Sequence, residues 1–466
     1  MKEKKSEAPR RGNEELFKWD GNPTFGQMLP LAAQHVLAAV VGCVTPAIIV
    51  AGVAGLSEQD SVILIQAALT MSAITTLIQV FPLLRTGKIA IGSGLPLIMG
   101  ISFAYVPTMQ AIAGRFDIAT ILGAQIVGGI VAVFVGIFIK QIRKFFPPLI
   151  TGTVVFAIGL SLYPTAINYM AGGASNESYG SWENWLVAII TLCIVTALNH
   201  YGKGLFKLAS ILIGLLCGYV VALCFGMVDF SALSSAGWFE VPMPLAFGIK
   251  FDISAILPLA ILFLVNSIQA MGDFSATTTG GMDRLPTDDE LNGGIIGYGV
   301  SNIVGALFGC PPTATYSQNV GIVGSTRVVA RRVFSASAVI LLIAGLIPKF
   351  SALLRTIPQC VLGGAVASVF ASIAMTGIKL LVTEKLTYRN TTVAGLSIAI
   401  GMGVSLSDGC LNQMTASIHN ALNMSMSLES FQSIINNTFA SSPVVLATIF
   451  AVILNLILPK DKPDAQ

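Results

Sequence analysis

Three stretches of this chain of 466 residues, Val62–Leu84, Ile118–Ile139 and Phe334–Ile347, contain no charged side chain. An apolar helix of about 20 residues is long enough to cross the hydrocarbon core of a bilayer. Runs of this kind recur along the whole sequence, and they constrain the fold more than any other feature. Charged residues make up only 11% of the chain, against about 25% in an ordinary soluble domain. The mean hydropathy is +0.79. So few charges cannot cover a water-exposed surface, and the chain reads as an all-α polytopic membrane protein whose first partner is the lipid bilayer.

The net charge of +3 gives no sign of nucleic-acid binding. The seven cysteines lie mostly in apolar segments without CxxC spacing, so neither a disulfide framework nor a metal site is expected. HExxH, GxSxG and Walker patterns are missing, so no catalytic residue and no cofactor is assigned. The first 24 residues are polar and rich in Lys and Arg, with no apolar core and cleavage site behind them. They read as a cytoplasmic tail.

Apolar runs bounded by Pro, Gly or charge predict fourteen membrane segments. They cover 28–55, 61–83, 89–105, 118–140, 148–168, 184–200, 206–228, 253–272, 291–309, 314–326, 333–356, 360–380, 391–407 and 441–458. With the N-terminus inside, the inner loops hold 14 Lys and Arg and the outer loops 4, the other 8 lying in the tails. That asymmetry follows the positive-inside rule and places both termini in the cytoplasm, in a cell-membrane protein.

The third and tenth segments are short and broken by Gly, Pro, Ser and Thr. They stand seven segments apart, the pattern of a seven-plus-seven inverted repeat whose two discontinuous segments meet near the midplane. A plainer reading is that the small residues only permit close helix packing. Their recurrence at corresponding places favours a binding site, to which each broken segment offers free N–H groups and a helix N-terminus.

Polar residues inside the apolar segments add to this. Asp273 is the one carboxylate set well inside an apolar run, where a charge costs about 2.5–3.5 kcal/mol on insertion scales. Asn266, Gln269 and Asp273 are spaced to share a helix face. Gln34 and His35 lie in the first segment; Gln318 and Asn319 lie in the tenth. His200 and His419 sit at a segment end and in a loop and carry no such signal. Carboxamides, serines and one carboxylate suit a small, flat, largely neutral solute. A nucleobase edge carries the complementary N–H and C=O, and Phe103 can stack on its face.

At these residues the chain resembles the nucleobase–ascorbate transporter family. The match lies in Gln318-Asn-Val-Gly321-Ile-Val-Gly-Ser-Thr326-Arg327, in Gln34-His35, and in Gly272-Asp273 followed by Ser275-Ala-Thr277. The resemblance implies a core domain of segments one to four and eight to eleven (25–145 and 250–357). It implies a gate domain of segments five to seven and twelve to fourteen (146–230 and 358–458). Tails would cover 1–24 and 459–466. It further implies a homodimer, elevator-type movement, and import of a purine, xanthine or uric acid, by proton symport. Phe103, Gln269, Gln318, Ser317 and Ser102 would meet the substrate. His35, Asp273, Asn319 and Tyr298 would govern coupling or specificity. Two positions depart from the family pattern. Gln269 stands where a Glu is usual and Tyr298 where an Asp is usual, so sodium coupling and a uracil substrate stay open. An anion exchanger or channel of the same fold is a remoter reading.

The inward placement of the termini has a direct check. Green fluorescent protein fused after Gln466 is expected to fluoresce and alkaline phosphatase fused there to be inactive. The reverse pattern would turn the topology over.

Overall fold

A computed structural model describes residues 14–86, 89–174, 176–422, 425–440 and 442–459. The outer parts of both predicted tails, and Lys88 of the charge count, lie outside the described residues.

The chain is mostly helical. In order it forms α1 (Phe25–Val53), α2 (Glu58–Val80), a hairpin of β1 (Leu83–Thr86) and β2 (Ile89–Ile91), then β3 (Met99–Ile101), α3 (Val106–Ala113) and α4 (Ile118–Ile137). There follow α5 (Pro148–Met170), α6 (Trp182–Tyr201), α7 (Ser210–Cys224), α8 (Ile253–Met282) and α9 (Asp288–Leu307). The rest comprises β4 (Thr313–Thr315), α10 (Ser317–Thr326), α11 (Arg331–Gly345), α12 (Pro348–Arg355), α13 (Gln359–Leu381) and α14 (Tyr388–Ser405). Two helices outside the predicted segments, α15 (Asn412–Ala421) and α16 (Leu428–Ile435), precede α17 (Pro443–Ile457).

Helix starts are set by local chemistry. Ser57, Asp117, Ser181 and Thr287 each accept a hydrogen bond from a backbone N–H of the first turn. Proline opens α5, α12 and α17, where its missing N–H costs nothing. Among the described residues, seven helices are long and apolar enough to cross a membrane, or up to nine if each of two bent pairs counts as one span.

Three segments differ from expectation. The third segment has other bounds than 89–105: Ile89–Ile91 belongs to the hairpin with β1, and α3 continues the segment to Ala113. The run 333–356 is broken between α11 and α12 with an 80° bend, because Pro348 starts a new helix. The eighth segment continues past 272 to Met282. There the hydroxyls of Ser275 and Thr278 turn back onto the carbonyls of Met271 and Phe274, at 2.9 and 3.1 Å, so polar residues extend the helix.

The folded part of the N-terminal tail lies on the loop before α11. Leu16 O accepts from Val329 N and Ala330 N at 3.0 and 3.1 Å, and Trp19 O accepts from Arg331 N at 3.0 Å.

Two sets of helices pack side by side. In one, α4 packs on α8 and α9, and α11 on α1 and α2. In the other, α13 packs on α5, α6 and α7, and α17 on α5 and α14. Glycines let α5 and α13 touch along their length. A Cβ on Gly159 would lie 2.4 Å from Ala374 N, and one on Gly377 would lie 2.3 Å from Phe156 N. Backbone blocks both sites, so neither can yield by a rotamer change. Gly159→Val is expected to destabilise the protein by about 1–3 kcal/mol through overpacking. A melting temperature equal to wild type in detergent would contradict this contact.

Candidate substrate-binding site

The broken segments meet in a two-stranded antiparallel sheet. Met99 pairs with Thr315, Gly100 with Ala314 and Ile101 with Thr313. Tyr316 N donates to Ile98 O at 3.0 Å and Ser102 N to Pro312 O at 3.1 Å, so the ladder runs one bond beyond each end. Tyr316 lies across β3, with its hydroxyl donating to Ile101 O at 2.9 Å. Only glycine fits beneath it at position 100, where a Cβ would come within 2.5 Å of Tyr316 Cζ and 2.7 Å of Cys43 Sγ.

Each strand leads into a helical start. After β3, Ser102 Oγ caps the turn Phe103–Tyr105 by accepting from Ala104 N at 3.2 Å. After β4, Asn319 N and Val320 N donate to Tyr316 O at 3.0 and 3.1 Å. The N–H groups of Ser317 and Gln318 precede these first bonds of α10 and have no intrahelical acceptor. Two positive helix ends are thereby directed to one place.

A cavity of about 280 Å³ lies there. One wall comes from the broken segments and α8: Ser102, Phe103, Thr315, Tyr316, Ser317, Gln318 and Gln269. The facing wall is largely apolar, with Val155 and Ile158 of α5, Ile211 of α7, and Val366, Val369 and Ile373 of α13. Phe103 packs edge-on against Phe370 of α13, with ring centroids 5.2 Å apart. All five residues predicted for substrate contact therefore line one cavity. Among the described residues, the carboxamides of Gln269 and Gln318 have no hydrogen-bond partner within the protein.

The four residues predicted for coupling or specificity stand behind this wall, and none lines the cavity. Asp273 is buried and uses both carboxylate oxygens. Oδ1 accepts from Ser317 Oγ at 2.8 Å, and Oδ2 accepts from Thr315 Oγ1. Asn319 Nδ2 is 3.0 Å from both His35 Nδ1 and His35 O, which makes Nδ1 of the ring an acceptor. Tyr298 is fully buried with its hydroxyl on that of Tyr105, against Phe263. Asn266, Gln269 and Asp273 stand on one side of the continuous helix α8, toward the broken segments, at different depths. Gln269 faces the cavity, Asp273 turns to the start of α10, and Asn266 is buried away from the cavity.

Sequence reasoning missed Thr315 and Tyr316, although both lie in the broken tenth segment. It also missed the apolar wall, whose residues look like any others in a membrane helix. All seven cysteines are unpaired, and the described residues contain no cluster of metal-ligating side chains.

A helical membrane fold with two strand-forming segments crossing at a cavity defines a solute transporter. Comparison with known proteins gives the family. A permease family model matches residues 26–410. The xanthine permease XanQ of Escherichia coli (strain K12) is 31% identical over 97% of this chain and 96% of its own length. The uric acid permease PucJ of Bacillus subtilis (strain 168) is 35% identical over 84% of this chain and 88% of its own. The chain belongs to this family of permeases, the nucleobase–ascorbate transporters, whose members are transporters and not enzymes. Its fold is shared by the murine anion transporter Slc26a9, at TM-score 0.63 and 10% identity over 98% of this chain and 73% of that one. It is also shared by the transmembrane domain of the cyanobacterial bicarbonate transporter BicA, at TM-score 0.57 and 16% identity over 80% and 94%.

The bonds behind the wall yield a prediction. Asp273→Asn keeps the shape but replaces one acceptor with a donor facing a hydroxyl. A hydrogen bond to a charged group contributes about 1.5–3 kcal/mol, so ligand affinity is expected to fall at least about tenfold. Unchanged affinity in equilibrium binding would show that these bonds do not hold Ser317 in its binding position.

Proposed function

We propose that the chain is a secondary active importer of a purine base, xanthine or uric acid, with proton symport. The observation that carries this reading is the pair of unpartnered carboxamides, Gln269 and Gln318, on the wall of one small cavity. Each presents a C=O and an N–H side by side, the complement of a cis-amide edge on an oxidised purine. The N–H groups of Ser317 and Phe103 add donors, Ser102 adds a hydroxyl, and the Phe103 ring offers a stacking face. At about 280 Å³, the cavity lies just below the roughly 300–1,000 Å³ typical of drug-sized ligands, which suits a smaller solute. The relatives named above, a xanthine permease and a uric acid permease, support the same class.

Gln269 cannot gain or lose a proton, so coupling falls to Asp273. Its oxygens hold the hydroxyls of Thr315 and Ser317, both on the cavity wall. Protonation turns one of these acceptors into a donor and rearranges the wall. Proton and substrate binding are then linked, each changing the other's affinity by the same factor. His35 and Asn319 brace the same helix start, and Tyr298 fixes α9 to the third segment.

The fourteen-segment, seven-plus-seven arrangement supplies the movement. The set of α1, α2, α4, α8, α9 and α11, with the two broken segments, is the core; α5–α7, α13, α14 and α17 are the gate, and two copies form a dimer. With both termini in the cytoplasm, Val155 and Ile158 lie in the inner half of α5 and Ile211 in that of α7, while Val366, Val369 and Ile373 lie about the middle of α13. Across the opposite end, Thr165 Oγ1 donates to Gln110 Oε1 at 3.0 Å, and the hydroxyls of Thr108 and Ser442 lie 2.9 Å apart. These bonds support an inward-facing state. Sliding of the core along the gate, elevator fashion, would break them and open the other side. The anion-exchange reading raised by the fold meets a cavity without Lys or Arg on its wall.

Uptake of radiolabelled xanthine and urate into proteoliposomes tests the proposal. An acid-outside gradient should accelerate uptake and a protonophore should abolish the gain. Gln318→Ala should reduce uptake at least about tenfold by removing hydrogen bonds the ligand needs. Absence of any purine uptake would overturn the function. Uptake driven by sodium and indifferent to pH would overturn the coupling alone.

A further inference from the structure

A two-stranded sheet inside a membrane protein leaves two open edges, and lipid-buried backbone groups without partners are costly. The register settles which groups are open. Gly100 and Ala314 exchange the central pair of bonds, so the N–H and C=O groups of Met99, Ile101, Thr313 and Thr315 point outward. Three of these four positions meet a side chain. Ile101 O takes the Tyr316 hydroxyl described above. Met99 N donates to Thr76 Oγ1 at 2.9 Å, and the same hydroxyl lies 3.5 Å from Met99 O. Thr313 N donates to Asn302 Oδ1 at 2.8 Å, while Asn302 Nδ2 donates to Thr313 O at 3.1 Å. The fourth position, Thr315, lines the cavity.

We infer that Asn302 and Thr76 are positioning residues of the binding site, each standing in for the strand that the sheet lacks. The carboxamide of Asn302 is flat and carries a donor beside an acceptor, as a peptide group does. Its two bonds to Thr313 reproduce the paired bonds of an antiparallel neighbour. Asn302 is itself held in place. Its Nδ2 also donates to Tyr298 O at 2.9 Å, and its backbone carbonyl accepts from Gln125 Nε2 at 3.0 Å. Thr76 does the same for β3 with a single hydroxyl. Both residues are fully buried and neither lines the cavity. Each comes from the helix immediately preceding its own strand, α2 before β3 and α9 before β4. Met99 lies three residues before Ser102, and Thr313 lies four before Ser317, so a shift of either strand end displaces the helical starts that face the ligand.

This inference takes the purine site of the proposed function as its frame, and its test separates the two. Full-length protein in nanodiscs is compared as wild type, Thr76→Val, Thr76→Ser and Asn302→Leu. Two quantities are measured: amide hydrogen exchange over 97–103 and 311–318, and equilibrium binding of xanthine and urate. Thr76→Val keeps the side-chain shape and removes only the hydroxyl. It should speed exchange over 97–103 by about tenfold while leaving peptides of α5 and α13 unchanged. It should also weaken xanthine binding about tenfold and alter the ratio of xanthine to urate affinity. Thr76→Ser should restore both, which a requirement for bulk alone would not produce. Asn302→Leu should act in the same way over 311–318; if it does not fold, the Thr76 pair decides. Exchange and affinity within about twofold of wild type in Thr76→Val would overturn the inference. If the wild type binds neither purine, the proposed function fails, and the exchange measurements still decide the role of Thr76 and Asn302.

Discussion

Everything near the cavity depends on the pairing of Met99–Ile101 with Thr313–Thr315. A chain that leaves helical geometry in the middle of a membrane protein must find other partners for its backbone. Here two such departures satisfy each other. Their crossing is tight, with Tyr316 laid over Gly100 beside Cys43. The cost of breaking two helices is offset by a ladder of backbone bonds and by the side chains along its edges. What the break provides is a pair of helical starts, at Phe103 and at Ser317, with N–H groups that no helical carbonyl uses.

The cavity therefore has two unlike walls. The wall built from the broken segments and α8 carries carboxamides, hydroxyls and free N–H groups, and Asp273 grips two of its hydroxyls from behind. The wall built from α5, α7 and α13 is mostly apolar and offers shape. A ligand that binds between them can hydrogen-bond to one wall and slide past the other.

Much of this was legible in the sequence, for reasons that can be stated. Apolar length between Pro, Gly or charge marked the helices, since a segment such as Ile118–Ile137 has few other ways to be satisfied. Gly, Pro and Ser clustered in an apolar context, with Thr added in the tenth, marked both broken segments. Gln318 and Phe103 stood out as polar or aromatic residues at those breaks and Gln269 as a polar residue of the eighth segment; the family resemblance added Ser317 and Ser102, and all five meet at one cavity. Other features left no local trace. The break before Pro348 was read through although Lys349 follows it, because the run of apolar residues from Phe334 to Ile347 dominated the segment. The extension of α8 past Asp273 was missed because Ser275 and Thr278 look like helix breakers until their hydroxyls fold back on the backbone. Thr76 and Asn302 were invisible, since a lone Thr or Asn in a helix does not reveal which distant strand it meets.

The central claim is that the two interrupted segments build the recognition site together. A cryo-electron microscopy structure with bound xanthine tests it most directly. The account predicts a flat ring beside Phe103, with its edge on the carboxamides of Gln269 and Gln318, and the two short strands still paired. A ligand held elsewhere, or a third and a tenth segment seen as continuous helices with Gln318 remote from Gln269, would contradict it.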